Sequence, residues 1–277
     1  MSVAAITRAG DLTRVGIFHP ETGRQPSSTL YFTGADPRRT ITALAALYSW
    51  WQDGVPTERM SESLYGLALD GGRLMEHAWH IEKAVNLTTG EKSPAGQSAS
   101  PSLLANRWGG LDQLHGQYDD KRQPMYLYGF SNKTGTLHRY RSTRSGVTTA
   151  GKVAGFGNVK GLTLIAQRPK DDVLLANTTT GSLITITVPR TTRMTTSVTR
   201  LRDRTWQGFE RIVAEPCGNA TVLLAIDDDT HRGYVYDIGH ARGRATPISR
   251  WNMTVDTSDM SVVTSMYGDG TDPLRGA

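Results

Sequence analysis

Apolar residues along this chain come in short alternating runs, each closed by a cluster of Gly, Asn, Asp, Ser or Thr. Residues 124–140 show the pattern best. Aromatic and aliphatic residues fill Tyr126 to Phe130, the turn formers Ser131, Asn132 and Gly135 follow, and Thr136 to Tyr140 resumes the alternation. A period of two on both sides of a glycine-bearing turn predicts a β-hairpin.

Weaker copies of this hairpin recur. Aligned on the apolar pair of one strand, they start at Val15, Leu64, Leu127, Leu174 and Leu223, with turns ending at Gly23, Gly72, Gly135, Gly181 and Gly233. Three of the four spacings are 47 to 49 residues; the fourth, from Leu64 to Leu127, is fourteen longer. Residues 88–101 are a Gly/Ser/Pro-rich tract of that length without apolar periodicity, and read as a flexible inserted loop. A second column places an aromatic shortly before a glycine at Trp51, Trp108, Phe156 and Trp206. Residues 40–51 admit a helix, but their place in the repeat favours a strand.

Repeats of this length, each holding about four short strands, predict a propeller. The expectation is an all-β fold: residues 1–277 form a single β-propeller domain. It would have five four-stranded antiparallel blades of about 49 residues, and C-terminal strands would complete the first blade.

Composition narrows the class. With 38% hydrophobic and 21% charged residues the chain is globular, and no apolar run approaches the roughly 20 residues that cross a bilayer as a helix. No membrane insertion is therefore expected. Cys217 is the single cysteine, which excludes intrachain disulfides and cysteine-based metal clusters. A reducing compartment fits that count. Residues 1–8 lack the apolar core of a secretory leader, so the expected location is cytoplasmic, or secreted with a leader removed. The net charge is +5, and the densest basic group is Arg190, Arg193, Arg200, Arg202 and Arg204. Threonines rather than base-stacking aromatics surround these arginines, so a solvated loop or strand edge is expected and no nucleic-acid partner.

Candidate chemistry follows the second column. Trp51, Trp108 and Trp206 are either stacking platforms for a sugar face or large rings filling the space between blades. Asp53, Asp112 and Asn158 follow them in loops leading into a blade, as hydrogen-bond acceptors for a ligand or as turn caps. Asp227, Asp228 and Asp229 form the most acidic run, but it lacks the glycine and terminal glutamate of a calcium loop. Asp70, Glu76 and His77 are acid–base candidates that nothing in the sequence brings together, and His77 and His80 fall on opposite faces of a strand. No nucleophile elbow, phosphate loop or dinucleotide fingerprint is present, so no cofactor and no metal site is assigned.

The order in residues 156–183 is an aromatic-glycine start at Phe156–Gly157, then the strands Leu162–Ala166 and Val173–Ala176, then a turn ending Gly181-Ser-Leu183. It resembles the tachylectin-type repeat, as does Trp108 to Arg141 with Thr134-Gly-Thr-Leu-His-Arg-Tyr140. The resemblance implies a five-bladed propeller that binds N-acetylated sugars between blades. The copies here differ at most polar turn positions, which fits one asymmetric site better than five equivalent ones. The leading expectation is a binding protein for a sugar or small-molecule ligand. An enzyme with one site at the channel mouth, either glycoside-active or a lyase or cyclase of specialised metabolism, is the alternative. A protein-docking scaffold is the third.

Overall fold

The computed structural model describes residues 1–36, 40–51, 59–86, 88–89, 92–116, 125–143, 146–217 and 220–267. The first blade holds β1 (Ser2–Thr7), β2 (Leu12–Gly16) and β3 (Ser27–Phe32). The second holds β4 (Ile41–Trp51), β5 (Arg59–Asp70), β6 (Arg73–Val85) and β7 (Lys92–Ala105). The third holds β8 (Gln113–Gly116), β9 (Met125–Ser131), β10 (Thr136–Thr143) and β11 (Gly146–Val153). The fourth is β12 (Val159–Gln167), β13 (Asp171–Thr178), β14 (Leu183–Pro189) and β15 (Ser197–Arg202). The fifth is β16 (Arg211–Cys217), β17 (Ala220–Asp227), β18 (Arg232–Ile238) and β19 (Ile248–Asp256). The last strand, β20 (Met260–Tyr267), returns to the first blade and pairs antiparallel with β1.

Each blade is thus a four-stranded antiparallel sheet, and the protein is a five-bladed β-propeller. The first strand of each blade (β4, β8, β12, β16 and β20) lines the central axis, and each touches the next. Closure is by a single C-terminal strand, which also bridges to β4 in parallel at Met266–Leu47 and Tyr267–Tyr48. The other axial strands, β8, β12 and β16, pair on one side only and turn their second edge to the channel.

Alternation fills the space between blades. Tyr128, Phe130 and Leu137 of the third blade meet Leu162, Leu174 and Ile184 of the fourth, and a comparable apolar layer separates every other neighbouring pair. One polar cluster crosses such a layer. Tyr128 donates its hydroxyl to the fully buried Asp172 (2.6 Å), which also accepts two bonds from Arg190 (2.9 and 2.7 Å). Burial raises the Asp172 carboxyl above its ordinary value, while the Tyr128 and Arg190 hydrogen bonds pull it back. The cluster staples blades three and four through their second strands, β9 and β13.

The two sequence columns have one structural cause. The turn joining the second and third strands of a blade carries a left-handed residue, and its carbonyl accepts an N–H from the loop leading out of the same blade. The pairs are Gly10–Asp36 (2.8 Å), Gly72–Trp108 (2.9 Å), Gly135–Phe156 (3.0 Å), Gly181–Trp206 (3.1 Å) and His231–Thr257 (3.1 Å). All five acceptor residues have positive φ, which favours glycine. At Gly135 the approach also excludes any side chain, because a Cβ there would overlap the backbone of Gly157.

This pairing corrects the repeat alignment. The first copy is anchored one strand late: Val15 lies in β2, the third strand of its blade, and the equivalent turn glycine is Gly10, not Gly23. In the fifth copy His231 takes the place expected for Gly233. Residues 40–51 form a strand over Ile41–Trp51, as the repeat indicated. The tract expected as a flexible insertion is different: residues 92–105 are β7, paired along its length with β6. Blade two is longer than the others because β5, β6 and β7 extend together over 12, 13 and 14 residues. The Gly/Ser/Pro-rich composition that reads as a linker also suits an outer strand, and Gln97 ties it to blade one through both backbone groups of Thr33 (3.2 and 3.0 Å).

Candidate functional site

At one mouth of the central channel the axial strands begin, and a cavity of about 170 Å³ opens among them. Every blade contributes to its wall: Thr42 from β4, Gln113 from β8, Lys160 and Leu162 from β12, Arg211 from β16 and Ser261 from β20. Equivalent positions therefore carry five different side chains. Beneath this rim the wall is apolar, made of Leu44, Leu114, Leu162, Ile212 and Val262.

The rim is a girdle in which successive polar side chains reach the next blade. Gln113 donates to Asn132 Oδ1 (2.8 Å) and to the Lys160 carbonyl (2.8 Å), and accepts from the Leu162 N–H (2.9 Å). Lys160 donates to Glu210 Oε1 (2.6 Å) and to the Gln207 carbonyl (2.6 Å). Glu210 Oε2 accepts the Asp228 N–H (2.8 Å), and Arg211 pairs with Asp228 through its Nε (3.1 Å to each carboxylate oxygen) and Nη2. Arg211 also reaches the Ser261 carbonyl (3.4 Å), and Ser261 donates to Ile6 O (2.8 Å). Lys160 uses two of its three N–H groups in these bonds. Asp112 accepts the Asn132 N–H through Oδ2 (2.7 Å), and its Oδ1 has no bond of this kind among the described residues.

His115 lies below the rim and lines both this cavity and a smaller one of about 30 Å³ farther down the channel. Thr163, Thr264 and Ser265 face that lower space. Part of the His115 residue surface still opens to the channel, while its Nε2 is occluded and has no hydrogen-bond partner among the described residues. Burial lowers its pKa to about 3, so the imidazole is neutral at ordinary pH.

The expected site residues divide. Asp112 lies on the rim, whereas Asn158 is exposed and uses its carbonyl to hold Thr179. Trp108 and Trp206 are 7% and 5% exposed and pack between blades; Trp108 stacks on Tyr140, and Trp206 meets Phe209 and Tyr236. Their ring faces are covered by protein, which leaves the space-filling role and not the stacking platform. Trp51 ends β4, at the far end of an axial strand, so it does not belong to the same column; its side chain and all of Asp53 lie outside the described residues.

Other candidates resolve into structure. In the acidic run, Asp227 caps its turn through Thr230 N–H (2.9 Å) and Asp228 holds Arg211. Asp70 and His77 come within 3.7 Å, but Glu76 points to the other face, towards Ser102. His77 is buried, and His80 on the opposite face bonds Ser63 (2.9 Å). Sequence reasoning missed Gln113, Lys160, Glu210, Arg211 and His115. The available signal was their position at or beside the start of the axial strands β8, β12 and β16, which needed the correct strand assignment.

No protein-family model matches the chain, and no curated protein does. Solved structures match over most of its length. One is a candidate 6-phosphogluconolactonase from Bacteroides fragilis NCTC 9343, 9% identical, covering 95% of this chain and 96% of that one with a TM-score of 0.42. A second is the Aleuria aurantia lectin bound to Fucα1-6GlcNAc, 10% identical, covering 92% and 74% with a TM-score of 0.46. A third is the Nup133 propeller domain of Vanderwaltozyma polyspora, 8% identical, covering 90% and 82% with a TM-score of 0.37. The Aleuria aurantia lectin is a six-bladed propeller, one blade more than this chain has. At such identities the likeness concerns architecture alone.

Proposed function

We propose that the protein binds one small polyhydroxylated ligand, of monosaccharide size, at the mouth of its central channel. The observation that carries this reading is a cavity at the channel mouth whose wall takes a different polar residue from each of the five blades. A polar rim above an apolar wall suits a ring with hydroxyls on its edge and an apolar face. Its volume lies below the roughly 300 Å³ at which pockets for drug-sized ligands begin, which sets the size class. The remaining N–H of Lys160 and the Oδ1 of Asp112 are the groups that would meet the ligand hydroxyls. The likeness of two repeats to the tachylectin type supports a sugar as the ligand, while the covered tryptophans argue for the axis over the blade interfaces.

Calorimetric titration with N-acetylglucosamine and with fucose tests this. Binding at one site per chain is expected, weakened about tenfold or more by Asp112→Ala or Lys160→Met. A stoichiometry near five, or binding indifferent to both substitutions, would favour sites between blades instead.

A further inference from the structure

A second surface lies on the rim of the propeller where blades four and five meet. Strand β15 carries Arg200 and Arg202, the loop after it carries Asp203 and Arg204, and the loop between β18 and β19 brings Arg242 and Arg244 against them. Contact between the two segments is direct. Arg202 donates to the carbonyls of Arg244 (3.4 Å) and Thr246 (2.8 Å), and Arg244 reaches Asp203 Oδ1 (2.9 Å). Arg200 pairs with the same oxygen (3.4 Å). Five arginines against one aspartate leave four positive charges here, while the whole chain carries a net +5. The patch is assembled from residues about 40 positions apart.

The patch is open. Arg200 and Arg244 are 56% and 72% exposed, Arg204 and Arg242 are exposed, and no carboxylate pairs with the last two among the described residues. Every cation here is arginine, whose planar fork matches carboxylate geometry better than an ammonium does. Asp203 already draws two guanidiniums to one of its oxygens, each through a single nitrogen. Val198, one of two large apolar side chains left exposed among the described residues, stands two positions before Arg200 on β15. A neighbouring apolar contact and the lack of aromatic rings in the patch favour a protein segment over a single-stranded nucleic acid, which needs stacking platforms.

We infer that this rim docks an acidic segment of a partner protein, with carboxylates on Arg200, Arg204, Arg242 and Arg244 and an apolar side chain on Val198. The surface is separate from the channel mouth, so the two readings stand or fall independently.

The test uses the full chain and a fluorescein-labelled glutamate-rich peptide with a central leucine, read by anisotropy. Binding is expected at about 50 mM salt, weakening steeply by about 500 mM as the charges are screened. Arg200→Glu/Arg244→Glu should weaken it at least about tenfold, and so should Arg204→Glu/Arg242→Glu, with unchanged thermal melts; Lys152→Glu on β11 should leave it as it was. No binding at low salt, binding untouched by both double variants, or tighter binding to duplex DNA or phosphatidylserine vesicles than to the peptide would each overturn the inference.

Discussion

His115 is the side chain whose ionisation depends most directly on the fold. Its folded pKa of about 3 lies below the unfolded value of 6.5, so the unfolded chain takes up a proton across that interval and the folded chain does not. The stability held by the neutral ring is therefore complete above about pH 6.5 and is lost as pH falls towards about 3. Urea unfolding of the wild type and His115→Gln between about pH 4.5 and about pH 7 should differ in slope by up to about 1.4 kcal/mol per pH unit, the wild type being steeper. His77, also lowered by burial, is common to both proteins and cancels in the difference. Parallel curves would show that His115 protonates freely in the native state. Asn177 makes a related point about residues and context. In the sequence it opens an Asn-Thr-Thr triplet of turn-like composition, yet it is fully buried in β13. Its carboxamide holds the Gly161 N–H (3.0 Å) and the carbonyls of Trp206 (2.9 Å) and Phe209 (2.7 Å). Nothing in local composition separates a turn asparagine from one that satisfies three buried backbone groups, because the distinction is which backbone arrives from elsewhere.

At the scale of elements, the left-handed turn crossed by the outgoing loop is the unit that repeats. Two left-handed glycines, one in this turn and one in the loop after β3, separate its two costs. Gly34 and Gly135 both have φ near +60°, but a Cβ at Gly34 meets nothing while one at Gly135 strikes Gly157 and Phe156. Gly34→Ala is expected to cost about 1 kcal/mol for the backbone conformation alone. Gly135→Ala should cost more than about 3 kcal/mol, since the loop must also be displaced. Denaturant midpoints decide it; equal losses would mean that the crossing loop moves aside freely. The same unit explains why the repeat was legible in the middle of the chain and obscure at its ends. Trp108, Phe156 and Trp206 mark the crossing in blades two to four, but Asp36 and Thr257 make the same backbone hydrogen bond in blades one and five. A backbone donor needs no particular side chain, so the motif survived there in geometry and vanished from the letters.

For the whole molecule, closure rests on β20. It is the axial strand of the first blade, antiparallel to β1 and joined in parallel to β4. Its loss would leave two axial edges unpaired and expose Ile6, Leu44 and Leu64 of the first interblade layer. A chain ending at Asp259 is expected to lose its cooperative thermal transition and to self-associate, measured by calorimetry and light scattering. A monomeric truncation with a native melt would show that four and three-quarter blades suffice.

Period-two alternation, broken at regular intervals by residues that tolerate tight turns, was enough by itself to specify strands, their grouping in fours and five blades, because each signal is local and repeats. Tertiary structure alone decided which strand opens each blade, that residues 92–105 extend a sheet, that two of the tryptophans fill gaps and that Lys160 meets Glu210 at the axis. It also decided that Arg200 and Arg244 share a carboxylate. These outcomes join segments some 40 to 250 residues apart. Such distances are set by how twisted sheets close around an axis, and no local pattern encodes them.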